Sequence, residues 1–134
     1  MHKPNPFERF IEGYKTALLF TEVPLTDWDG EYEETAGDQS FQLDDFTDGA
    51  EEQIREICSA FWDSNAEDLA EFMEVTGRGP EDCGHDFLFT RGGHGVGFWD
   101  RGAGDVGDRL SKASEPYGET HLFKTEDNRL EVED

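Results

Sequence analysis

Asp86-Phe87-Leu88-Phe89-Thr90-Arg91-Gly92-Gly93-His94-Gly95-Val96-Gly97-Phe98-Trp99 is the stretch whose reading decides the fold. Two aromatic-rich runs, 86–91 and 94–99, flank a Gly-Gly pair, which predicts a β-hairpin with a two-residue turn. In that register Phe89 faces Val96 and Phe87 faces Phe98, while Leu88 and Thr90 lie opposite Gly97 and Gly95. A glycine-lined strand leaves room for a bulky neighbour, either Trp99 or a helix.

Upstream of this stretch the pattern is helical. Asn5 caps, Pro6 suits the first helical position and Glu8 stands where a capping-box acid would, after which Phe7, Phe10, Ile11, Tyr14, Ala17 and Leu18 recur at helical spacing. From about 21 to 46 the chain reads as an acidic loop with extended pieces, interrupted by Pro24, Gly30 and Gly37. Thr47 then caps a long second helix reaching about Val75, with Ile54, Ile57, Cys58, Phe61, Asn65, Leu69 and Phe72 on one face. Downstream, a short helix spans about 105–114, and a last hairpin runs from 120–124 to 130–132. The order ααββαββ predicts a single α+β domain over 1–134, its two N-terminal helices packed with an antiparallel sheet of about four strands.

The charge is uneven. The 134 residues carry 33 Asp and Glu against 11 Lys and Arg, a net of -22. Residues 16–77 hold 18 acids against the single base Arg55, a net of -17. Such a chain cannot grip nucleic acid by neutralising phosphates, which requires clustered Lys and Arg, and it repels anionic membrane surfaces. Eleven Phe and three Trp argue against full disorder. Cys58 and Cys83 read as reduced thiols. With neither a signal-peptide pattern nor a run of about 18 apolar residues, the expected compartment is the cytoplasm.

The glycine- and histidine-rich stretch admits three enzymatic readings. Cys83, His85, Asp86 and His94 could ligate a metal, but a closed zinc site needs four ligands and neither CxxC nor HExxH spacing occurs. Its glycines match neither phosphate-binding signature, and the surrounding carboxylates repel phosphate. His85 or His94 beside Asp86 or Asp100 could serve acid–base chemistry. Against these stands a tight turn whose glycines meet backbone needs and whose histidines form hydrogen bonds. That reading assigns no catalytic residue, metal or cofactor.

From Gly84 to Asp100 the sequence resembles a widespread family of small, acidic, uncharacterised proteins of tailed phages, prophages and related mobile elements, whose signature is close to G-H-D-F-x-x-T-R-x-G-H-G-x-G-F-W-D. Leu88 replaces an expected Trp, and Gly92 an expected Asn. Weaker similarity extends to Tyr14, Thr16, Ala17, Leu18 and Leu19, the acidic helix and the 105–118 segment. The resemblance implies an infected or element-bearing bacterial cell and no particular activity.

Acidic proteins of such elements often block host defences, some by imitating DNA, and the carboxylate spacing here suits that role. Asp27, Asp29, Glu31 and Glu33 alternate, which in an extended segment places them on one side roughly 6.6–6.8 Å apart. On a helix Glu52/Glu56 and Asp63/Glu67/Glu71 follow at i,i+4, about 6 Å apart, and Glu74 continues the face. These intervals approach the separation of neighbouring phosphates along a DNA strand. The expected partner is therefore a basic nucleic-acid-binding protein of the host or its defences, such as a CRISPR effector, a restriction enzyme or a DNA-processing protein, with no direct contact to nucleic acid. A small enzyme or metal-binding protein using His85, Asp86 and His94, and a soluble halophilic protein without mimicry, are the alternatives.

Overall fold

The computed structural model describes residues 5–20, 41–93 and 96–133, and the backbone of 25–26 and 32–33. Five α-helices dominate them: α1 Pro6–Phe20, α2 Asp48–Ser64, α3 Ala66–Thr76, α4 Pro80–Arg91 and α5 Asp105–Ser114. Strands β1 Leu25–Thr26, β2 Tyr32–Glu33, β3 His121–Lys124 and β4 Leu130–Glu133 form a small mixed sheet in the order β2-β1-β3-β4. This corrects the expected α+β architecture. The domain is mainly helical, and β3–β4 is its one extended antiparallel pair among the described residues; β1 and β2 add two residues each, with β1 parallel to β3.

The principal correction lies at 86–99. Asp86–Arg91 is the second half of a helix, not a strand, and Phe98–Asp100 is a turn of 3-10 helix. Pro80 opens α4, and the Asp82 carboxylate accepts from the Gly79 N–H at 3.1 Å. At the other end Gly93, with φ of 72°, supplies the left-handed residue that lets the chain leave the helix. The glycine pair thus ends a helix where a hairpin turn was expected.

α4 is held against α1, the most extensive helix pairing in the protein. At the crossing a Cβ on Gly13 would stand 2.0 Å from the Glu81 carbonyl oxygen, and one on Gly84 2.2 Å from that of Phe10. Only glycine permits such backbone approach. Around the crossing, Phe61 and Phe87 stack with centroids 4.0 Å apart, Phe10 and Phe98 stack alongside, and Tyr117 meets Phe87 edge-on.

α1 starts as its sequence indicates, with the Glu8 N–H donating to Asn5 Oδ1 at 2.8 Å. Phe10, Ile11, Tyr14, Ala17 and Leu18 are buried. The Glu8 carboxylate, however, accepts from both terminal nitrogens of Arg55 at 2.8 and 2.9 Å. The long helix expected to about Val75 is divided at Asn65, whose backbone and side-chain N–H groups both donate to the Phe61 carbonyl. A residue that competes for local carbonyls interrupts the ladder there. The buried face nevertheless continues across the break through Ile54, Cys58, Phe61, Leu69 and Phe72.

The closing hairpin pairs Leu122 with Val132 and Lys124 with Leu130. Leu130 also exchanges backbone hydrogen bonds with 45–47, and Arg129 donates to the carbonyls of Asp45 and Phe46, so this hairpin anchors the start of α2. Most of the acidic loop expected over about 21–46 lies outside the described residues; β1 and β2 occupy part of it.

Candidate functional site

Several side chains of α4 and the turn after it are bound into the scaffold. Asp86, on α4, is fully buried. Arg101 donates to it from Nη2 at 2.7 Å and from Nε at 3.1 Å, and Arg78 Nε lies 3.6 Å away. Burial pushes the Asp86 carboxyl up, and the hydrogen bonds and charge of Arg101 draw it back. One turn later Arg91, also buried, donates to the Tyr14 hydroxyl and to the carbonyls of Tyr117 and Gly118. Thr90 Oγ1 accepts from the Phe98 N–H at 3.2 Å. Together these bonds fasten the segment after α4 onto the helix.

Of the groups put forward for chemistry, Cys83 and Asp86 are poorly placed to perform it. Cys83 is fully buried and its thiol is pushed up to about 12, first by burial and then by the Asp86 charge, which leaves it inert. His85 is half-buried, and desolvation lowers its pKa. The Asp86 oxygens are engaged by Arg101, and His94 lies outside the described residues. Among the described residues no three His, Cys, Asp or Glu side chains form a group able to hold a metal ion. Nor does any helix among them have the length and apolarity to cross a membrane.

The acidic residues are distributed differently. Glu52, Glu56 and Asp63 are exposed on α2, and Glu67, Glu71 and Glu74 are exposed on α3. Helical spacing makes each trio a stripe, because 52, 56 and 63 share one face of α2 and 67, 71 and 74 share one face of α3. The predicted i,i+4 run Asp63/Glu67/Glu71 is therefore broken by Asn65 into two stripes. They adjoin at the helix joint, where Asp63, Glu67 and Asp68 line one open hollow of about 400 Å³. Asp27, Asp29 and Glu31 lie outside the described residues, and Glu33 falls in β2, so the extended acidic array stays an expectation.

The arginines are engaged by partners within the chain. Arg9 pairs with Glu81, Arg55 with Glu8, Arg101 with Asp86, and Arg109 with Asp68 and Glu71. Arg78 faces Asp82 and Asp86, while Arg91 and Arg129 donate to backbone carbonyls. All seven arginines thus have partners inside the chain. Of the six stripe acids only Glu71 joins an ion pair among the described residues.

Two features escaped the sequence reading. The Asp86–Arg101 pair links positions fifteen residues apart and has no local signature. Trp99, which with a helix was one of two groups expected to fill the space against the glycine-lined strand, is half exposed at 50%. The adjacent aromatics Phe98 and Trp99 held the clue, since neighbouring residues in a tight turn point apart and Phe98 takes the core. Compared with family models, curated proteins and solved structures, the chain finds no match.

Proposed function

We propose that this protein is a non-enzymatic inhibitor that presents a DNA-like array of carboxylates to the basic nucleic-acid-binding surface of another protein. The observation that carries this reading is the pair of exposed acidic stripes on α2 and α3, of whose six acids only Glu71 joins an ion pair among the described residues. Within each stripe, i,i+4 neighbours such as Glu52/Glu56 and Glu67/Glu71 stand about 6 Å apart. A cationic groove that tracks phosphates meets a similar repeat, and counterions released from both surfaces would supply much of the affinity. With the sequence resemblance to phage and mobile-element proteins as support, the proposed setting is the cytoplasm of a bacterial host and the proposed target a CRISPR effector, a restriction enzyme or a DNA-processing protein.

The test is capture of host proteins on the immobilised protein at low and high salt, followed by elution with duplex DNA. The control bears Glu52, Glu56, Glu67 and Glu74 replaced by Lys; Glu71 is spared because it accepts from Arg109. These side chains are exposed, so the variant should fold. The expected result is recovery of DNA-binding proteins that salt and DNA both release and that the variant does not retain. Full retention by the variant, or captured proteins that DNA does not displace, would overturn the reading.

A further inference from the structure

We infer that Trp99 is a preformed anchor that receives an arginine side chain of the basic protein partner, a proposal that rests on the function above. The turn carrying Trp99 is held on both sides. Before it, the Phe98 N–H is bonded to Thr90, and Gly97 passes so close that a Cβ there would meet Thr90 Oγ1 at 2.2 Å. After it, Arg101 is clamped on buried Asp86. Beneath it, Phe98 is fully buried and meets Phe72 of α3 edge-on at 5.2 Å, and the Phe98 carbonyl lies so near Gly107 of α5 that a Cβ there would approach to 2.7 Å.

The aromatic residue at the centre of this rigid turn nevertheless faces solvent. A large aromatic side chain on a backbone held in place before binding has only its two side-chain torsions left to order when a partner arrives, and tryptophan is enriched among the residues that dominate interfaces. Charge specifies the occupant. Exposed Asp100 follows the indole, and Asp105 and Asp108 are exposed in the first turn of α5, against which the turn packs. α3 turns Phe72, the residue that Phe98 contacts, into the core, and Glu67, Glu71 and Glu74 lie on its exposed side.

An indole in such a field attracts a cation to its face, and the planar guanidinium of arginine stacks there better than an ammonium. Among the described residues no cation of this chain occupies that position: Lys15 lies over Phe46, Arg55 over Phe7, and Arg91 over Phe87 and Tyr117. On this proposal the cation comes from the partner.

The test uses a capped peptide of alternating Arg and Gly, and its Lys counterpart of equal charge, as probes of the intact protein at low salt. Binding is followed calorimetrically and through the indole N–H resonances, that of Trp99 being the one lost in Trp99→Phe. The expected result is a shift of the Trp99 resonance and an affinity for the Arg peptide that falls about three- to tenfold in Trp99→Ala. Trp99→Phe should keep part of that affinity, and the Lys peptide should be less sensitive to the loss of the indole. If Trp99→Ala binds unchanged while the Glu52, Glu56, Glu67 and Glu74 reversal abolishes binding, the anchor is refuted and the acidic stripes stand. If neither peptide binds the unaltered protein at low salt, both proposals fail.

Discussion

Arg101 grips the Asp86 carboxylate through Nη2 at 2.7 Å and Nε at 3.1 Å, across the fifteen residues that separate them in sequence. Because Asp86 is fully buried, removing either partner strands a charge, which typically costs about 3–5 kcal/mol. Arg101 keeps some contact with solvent, so Asp86→Ala should fall near the lower end of that range. Urea unfolding should also show the double variant Asp86→Leu with Arg101→Met recovering much of the loss. If Asp86→Ala unfolds at the same midpoint as the unaltered protein, the pair does not fasten the segment after α4.

Gly84 within α4 and Gly93 beyond its end separate two kinds of constraint. Gly84→Ala places a methyl group 2.2 Å from the Phe10 carbonyl oxygen, where only displacement of a backbone could relieve the clash. Overpacking commonly costs about 1–3 kcal/mol, and a backbone obstacle should exceed that. Gly93 has open space around it and only its positive φ to defend, so Gly93→Ala should cost about 1 kcal/mol. Equal melting temperatures for the two variants would count against the close helix crossing.

α1 and the closing hairpin were legible because each has one buried and one solvated face and a recognisable start or turn. α4 was not, because Asp86, Thr90 and Arg91 are buried along with Cys83, Gly84, Phe87 and Leu88, so residue type does not mark the buried face with a helical period. The spacing of Phe87 and Phe89 and the following Gly-Gly pair then imitated a strand and its turn. The acids of the second helix were readable as a surface by their opposition to the apolar stripe. Their division at Asn65 was not, since Asn65 sits on that stripe and was taken for one of its members. Most of the pairings that occupy the arginines are long-range and leave no local trace, Arg78–Asp82 at i,i+4 being the exception.

His85 gives a pH dependence with a definite sign. Burial lowers its pKa below the ordinary 6.5, against the opposing charges of Asp82 and Asp86 and with the help of Arg78 and Arg101. The unfolded chain therefore takes up this proton first as pH falls, so the contribution of His85 to stability is present above about 6.5 and lost as pH drops through the folded value. His85→Gln should flatten that part of the acid-side decline. Denaturant midpoints of both proteins from about pH 7.5 to 5, which straddle the ordinary histidine range, measure it. Parallel profiles would mean that His85 titrates alike in both states.

Salt should stabilise the fold, and magnitudes decide the direction. Screening weakens exposed ion pairs such as Arg9–Glu81, Arg55–Glu8 and Arg109–Asp68, but such pairs contribute about 0–1 kcal/mol each. Two like charges about 10 Å apart in water repel by about 0.4 kcal/mol. A net of -22 on a 134-residue fold places many carboxylates at such distances, where the unfolded chain would spread them. Their summed repulsion outweighs three surface pairs, and shortening the screening length from about 20 Å or more to a few ångströms removes most of it. The melting temperature should therefore be higher at about 0.5 M than at about 0.02 M NaCl, two conditions on either side of that change in range. The Glu52, Glu56, Glu67 and Glu74 reversal, which lifts the net charge by eight, should show a smaller salt effect. A melting temperature that is flat or falls with salt would mean that the carboxylates are not crowded, and the phosphate-like array would lose its electrostatic basis.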